Sequence, residues 1–318
     1  MKTMKTKYIL LLVMIIVTSC QSQSQKKVSR TINSGGLEIH YDFLDNESVE
    51  MESEITQILV SGFEVYKNLF GGNPRDSLNV TYTQFSVKIR KSQFVKGEAD
   101  PKIIILDWSE DKTFGFANWK VGLLHELFHL WNGETFRYKD GSEHWFNEGF
   151  SEFYAWQTAT KLGIITSEEV LSTSVYPIGY YNTSSGLGKI SMREAGIDDK
   201  TKFENYFLIY HGGWISAMLL DVDIRTKTNN KKSLDDLMKW LYKNFLRTKK
   251  LYDSNDIING IKITTSQDYS SFYEKYINGL ETIPVSNYFD LGKASIDYNF
   301  NPEGKEKHKY LYKSLGIE

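Results

Sequence analysis

The chain has 318 residues, with 38 Lys and Arg against 40 Asp and Glu and a formal net charge of −2. At 41 % hydrophobic and 25 % charged it has the composition of a folded globular protein, which excludes disorder, collagen and a long coiled coil. No excess of Lys and Arg exists to neutralise phosphates, so nucleic acid is not an expected partner.

The N-terminus carries Lys2, Lys5 and Lys7, then an apolar run from Tyr8 to Val17, then Thr18-Ser19-Cys20. This is the order of a secretory signal: charged residues, a short apolar core and a small-residue cleavage site. The run is too short to span a bilayer comfortably. Val17-Thr18-Ser19-Cys20 is similar to a bacterial lipobox, and the single cysteine of the chain lies where lipidation requires it. The expectation is a signal peptide over 1–19, a lipid on Cys20 and a polar tether over 20–34. The body would then sit on the bacterial cell envelope with the lipid membrane as a partner. An ordinary secretory signal or an uncleaved anchor is the alternative.

Further along, Leu37 to Phe43 alternates apolar and polar residues, which predicts a strand with one buried face. Ile55, Ile58, Leu59, Phe63, Tyr66, Leu69 and Phe70 follow helical spacing, and Gly71-Gly72 ends that helix. Leu78 to Phe85 and Ile103 to Leu106 read as strands, the second an Ile-rich run suited to a sheet interior. From about residue 120 the pattern turns helical, with apolar stripes over 121–131, 145–162, 204–225, 233–247 and 268–280. Ser233 and Asp236 mark a capped helix start. The stretch 164–200 reads as loop-rich and, by its length, as functional. The expected architecture is α+β: one domain over 35–318, β-rich over 35–120 and helical over 121–318, with a cleft between the halves.

The chemistry is concentrated in His125-Glu126-Leu127-Phe128-His129. On a helix, positions i and i+4 share a face, so both imidazoles can reach one ion while Glu126 lies beside them as a base. Two core histidines on an amphipathic helix would be the plainer reading. A second string, Trp145-Phe146-Asn147-Glu148-Gly149-Phe150, places a carboxylate nineteen positions after His129. Two antiparallel helices joined by a loop would return Glu148 to the histidines. His125, His129 and Glu148 then bind one Zn2+ per chain and leave the fourth tetrahedral position open, the catalytic arrangement. Glu152 lies one turn beyond Glu148 on the same helix face. In the gluzincin family, which this pattern resembles, an acid there orients a zinc-binding imidazole. This implies that Glu152 fixes the ring of His129, with a solvated surface acid as the alternative.

The His-Glu-x-x-His string with a Glu after eighteen residues resembles the gluzincin signature. His129-Leu130-Trp131-Asn132 and Glu148-Gly149-Phe150 are similar to the glycyl aminopeptidase family within it. Likeness continues in Leu69-Phe70-Gly71-Gly72-Asn73-Pro74, Ile190-Ser191-Met192-Arg193-Glu194-Ala195 and Leu220-Asp221-Val222-Asp223-Ile224-Arg225, and spans roughly 55–290. The family's large N-terminal β-domain and C-terminal PDZ domain have no counterpart in this match. The resemblance implies a thermolysin-like (gluzincin) catalytic domain and a zinc metallopeptidase acting on peptides, with the aminopeptidase activity of the family. It implies a zinc-activated water, with Glu126 as general base that later protonates the leaving amine. The family's oxyanion donor is the Tyr of a Tyr-x-Lys-Gly string. Tyr210-His211-Gly212-Gly213 matches it without the Lys, which makes Tyr210 the catalytic candidate and one core aromatic the alternative. Gluzincin aminopeptidases also hold the substrate's α-amine on an acid some thirty residues before the first zinc His. Glu98 lies at that distance without the matching neighbours, which leaves exopeptidase and endopeptidase both open. A noncatalytic peptide-binding lipoprotein and a non-peptide zinc hydrolase on the same fold are the other readings.

Overall fold

A computed structural model describes residues 27–111 and 118–317. The signal-like segment, Cys20 and the start of the expected tether lie outside the described residues.

The first half is a five-stranded sheet: β1 (Val28–Ser34), β2 (Leu37–Phe43), β3 (Gln84–Lys91), β4 (Lys96–Asp100) and β5 (Ile103–Trp108). The spatial order is β1-β2-β3-β5-β4, with β2, β3 and β5 parallel and the two edges antiparallel to their neighbours. Part of the expected tether is therefore structured: Val28–Ser34 pairs with β2 in full register. Gly35 and Gly36, at φ of 56° and 78°, supply the left-handed two-residue turn that closes this hairpin. The strand expected at 78–85 begins only at Gln84. Before it, Asp76 accepts bonds from the N–H groups of Leu78 and Val80, which folds 76–80 into an exposed turn. Ile103–Trp108 occupies a sheet interior as expected, flanked by β3 and β4.

Between β2 and β3 the chain makes a short helix α1 (Asn46–Glu50) and the long α2 (Glu52–Phe70), which ends at Gly71. One face of α2 packs on the sheet and on α3 (Trp119–His129). Phe63 and Phe70 lie with ring centroids 5.0 and 5.5 Å from Trp131, and the Tyr66 hydroxyl donates to the Leu124 carbonyl. β4 and β5 flank the other side of α3.

The second half is helical. α4 (His144–Lys161) runs antiparallel to α3. The stretch expected as loop is instead a chain of short helices: α5 (Ser167–Thr173), α6 (Val175–Asn182), α7 (Met192–Ala195) and α8 (Asp199–Glu204). Each of α5, α7 and α8 has a Thr, Ser or Asp side-chain cap, and these local bonds sustain helices too short for an apolar stripe to reveal. A π-helical turn (Phe207–His211) leads into α9 (Gly212–Lys227). This continuous span is long and apolar enough to cross a membrane by composition, but here it is buried in the helical half. α9 crosses α4 where Gly149 meets Gly213; a Cβ on Gly149 would lie 2.3 Å from the Gly213 Cα. α10 (Leu234–Asn244) starts on the expected Ser233–Asp236 capping box, and α11 (Ser254–Thr265) follows. The stripe at 268–280 is broken into a single helical turn and a π-helical turn. A cleft of about 880 Å³ is lined by residues of β4, α3, α4, α8 and the π-helical turn.

Candidate metal centre

The centre is assembled by the α3–α4 pair. Asn118 caps α3 by accepting from the Lys120 N–H, and the helix buries His125, Glu126 and His129 at its far end. The His129 Nδ1–H donates to the Asn132 carbonyl at 2.9 Å, and the His125 Nδ1–H to Glu152 Oε2 at 2.8 Å. Both rings thereby turn Nε2 toward one point, where the two nitrogens are 3.0 Å apart. Glu148 Oε2 lies 3.4 Å from His125 Nε2 and 3.5 Å from His129 Nε2.

These separations test whether a metal fits. Ligand arms of 2.0–2.1 Å in a tetrahedron place donor atoms about 3.3–3.4 Å apart. The observed triangle matches that size, and it is the one such cluster among the described residues. Burial alone would push the His125 imidazole down, but the Glu148 and Glu152 carboxylates outweigh it and drive it well above its ordinary value. Burial would raise the Glu148 carboxyl, yet the two imidazoles and Lys202 hold it well below the carboxylate range. The carboxylates thus favour positive charge between these three side chains, and a divalent cation would supply it.

Glu126 stands beside the triangle and opposite β4. Burial raises its carboxyl above the usual range, the histidines oppose that, and Glu148 and Glu152 add to it. A Cβ at Gly97 would fall 2.1 Å from Glu126 Oε1, so only glycine at that strand position leaves room for the base.

Glu152 contacts the ring of His125 and not that of His129. α4 runs antiparallel to α3, so a residue one turn later on α4 meets the earlier histidine of α3. Its second oxygen accepts from Trp156 Nε1 at 2.8 Å, which fixes the carboxylate. For His129 the Asn132 carbonyl takes the orienting role.

Tyr210 lines the cleft in the π-helical turn, its ring stacked 6.5 Å from that of His125. Burial and the Glu148 carboxylate keep its phenol protonated far above the ordinary range, as a hydrogen-bond donor must be. Glu98 borders the cleft, but not from the strand face that meets Glu126. Gly97 faces Glu126, and successive strand residues point to opposite faces, so the Glu98 side chain lies on the outer face with Lys88 and Arg90. Val95, Gly97 and Ala99 form the inner face, which carries no acid.

One residue at the centre was not expected. Lys202, on α8, donates from Nζ to Glu148 Oε1 at 2.7 Å. Glu148 therefore offers Oε2 to the triangle while its other oxygen is held. Nothing in Asp199-Lys200-Thr201-Lys202-Phe203-Glu204 distinguishes this lysine from its neighbour; the contact spans 54 positions and exists only once the helices are packed.

Comparison with known proteins agrees with this geometry. Residues 121–213 match the family model of the M61 glycyl aminopeptidases. Among solved structures, an aminopeptidase N family protein from Idiomarina loihiensis aligns at a TM-score of 0.66 and 18 % identity, over 82 % of this chain and 48 % of that one. An M1 zinc metallopeptidase from Deinococcus radiodurans aligns at a TM-score of 0.55 and 15 % identity, over 81 % and 53 %. The chain spans about half the length of these structures. No curated protein matches. The centre thus lies on a fold shared with M1-type zinc metallopeptidases, and the segment that builds it, 121–213, bears the M61 glycyl aminopeptidase pattern.

Proposed function

We propose that this protein is a zinc-dependent metallopeptidase, with aminopeptidase activity as its first reading. The single observation that carries the proposal is the convergence of His125, His129 and Glu148 on one point with Glu126 beside it. Bound zinc would supply Lewis acidity toward a peptide carbonyl and toward water. The chain's own residues do the rest. Glu126 takes a proton from the attacking water and returns it to the leaving amine. Tyr210 donates its hydroxyl to the oxygen that gains charge as the carbonyl carbon becomes tetrahedral. Glu152 and the Asn132 carbonyl hold the two imidazoles in the tautomer that presents Nε2.

A second reading, an endopeptidase, is favoured by one observation. The edge strand presents Gly97 and Ala99 on the face that borders Glu126, so a carboxylate for a substrate α-ammonium would have to come from elsewhere in the cleft. Rates on aminoacyl amides against internally quenched, N-blocked peptides separate the two. Activity on free N-termini alone supports the aminopeptidase; cleavage of blocked peptides supports the endopeptidase; no chelator-sensitive cleavage of either defeats the proposal.

We further propose that the body is held at the cell envelope by lipid on Cys20. The lipobox-like Val17-Thr18-Ser19-Cys20 and the polar run after it support this. Cys20→Ala is expected to move the protein from the membrane to the soluble fraction, and unchanged membrane association argues against the anchor.

A further inference from the structure

α8 buries none of its six residues, although it lies against the cleft. It is held by its Asp198 cap and not by an apolar face. Its Phe203 is 83 % exposed, and just beyond it Tyr206 and Phe207 are 44 % and 38 % exposed. All three line the cleft, and Phe94, 50 % exposed, lines it from the β4 side. A globular protein gains nothing in stability from rings left in water; contiguous apolar surface beside a reactive centre is a mark of ligand contact.

Two of these rings, Tyr206 and Phe207, are also fixed in place. Tyr206 stacks on Tyr210 at 4.0 Å, and Tyr210 in turn faces His125. Phe207 packs against both Tyr180, at 4.9 Å, and His211, at 5.4 Å, and those two rings are also stacked on each other at 5.4 Å. The π-helical turn over Phe207–His211 sets this spacing, and such turns recur at functional sites. The open faces are thus rigid surfaces that lose little freedom when covered. They begin one ring beyond Tyr210, the distance at which a side chain flanking the scissile bond would lie.

We propose that Phe203, Tyr206 and Phe207 form a subsite for a large apolar or aromatic side chain next to the bond that is cut. The substrate class is therefore peptides with a bulky apolar residue at the scissile bond, and not peptides with glycine there. The proposal rests on the peptidase reading, and its test keeps the two apart.

The experiment compares kcat/KM for paired peptides that carry Phe or Gly on either side of the scissile bond, in the parent, Phe203→Ala and Phe207→Ala. Phe203 makes no core contact, so its replacement leaves folding intact. The parent is expected to prefer Phe by at least about tenfold. Phe207→Ala is expected to cut that preference about tenfold and Phe203→Ala several-fold, the change that follows when a ring loses an apolar partner. In parallel, calorimetry with blocked Phe-Phe and Gly-Gly dipeptide amides reads binding without turnover. A Phe-to-Gly ratio near one in the parent, or a ratio unmoved in both variants, overturns the subsite. Selective binding of the Phe-Phe amide, lost in Phe207→Ala, without cleavage of any peptide would defeat the peptidase reading and leave the subsite standing.

Discussion

The α3–α4 pair and the segment 199–211 face each other across one cleft, yet they are built differently. His125, Glu126, His129 and Glu148 are nearly closed off, and the outer atom of each imidazole is held by a carboxylate or a carbonyl. The opposing segment holds a helix with no buried residue, a π-helical turn and several exposed rings. Ligand geometry needs a wall that does not move, since a misplacement of an ångström disables a catalytic constellation. Substrate contact needs a wall that is open until the substrate covers it. The molecule assigns the first task to two packed helices and the second to short capped ones.

This division predicts different consequences for changes on the two sides. Glu126→Gln keeps shape and metal and removes the base, so activity should fall by roughly 10²–10⁴-fold with zinc content unchanged. Tyr210→Phe, on the opposite wall, should lower kcat by roughly 10²–10³-fold with KM little changed, the scale of one lost oxyanion donor. Tyr206→Phe is the control. A large loss there and none at Tyr210 would move the donor one turn back, to Tyr206.

Lys202 is one place where the two walls touch. Lys202→Met should weaken zinc about tenfold in chelator competition, and Lys202→Arg should restore it, because a partner that holds a ligating carboxylate contributes on that scale. Tighter zinc in Lys202→Met would show that the ammonium only opposes the ion's charge. On the rigid side the effect is on stability. Gly149→Ala adds a methyl where the Gly213 backbone leaves no room, and should cost about 1–3 kcal/mol, seen as a lower Tm. An unchanged Tm would mean that the α4–α9 crossing gives way more easily than its geometry shows.

The same contrast explains what the sequence made legible. The pairing of His125 with His129 was readable because helical spacing alone sets them on one face. Glu152 was placed on the correct face of α4, but its histidine depends on the antiparallel crossing, which no local pattern encodes. β1 was missed because Ser29-Arg30-Thr31 is an edge strand without apolar alternation. β4 was missed because its inner face must be small: Gly97 stands where an apolar residue would mark a strand, since Glu126 occupies the space. The run from Leu78 to Val80 misled, as its apolar side chains project from a turn. Lys202 was invisible because its role is a tertiary contact carried by a solvated helix.

The central claim is that His125, His129 and Glu148 form one zinc site. Metal analysis of the purified protein by mass spectrometry, beside His129→Ala, tests it directly. The account predicts about one zinc per chain in the parent and a loss of the metal in the variant, with the fold retained by circular dichroism. A parent that binds no zinc when it is supplied, or a folded His129→Ala protein that keeps its full complement, would contradict the assignment.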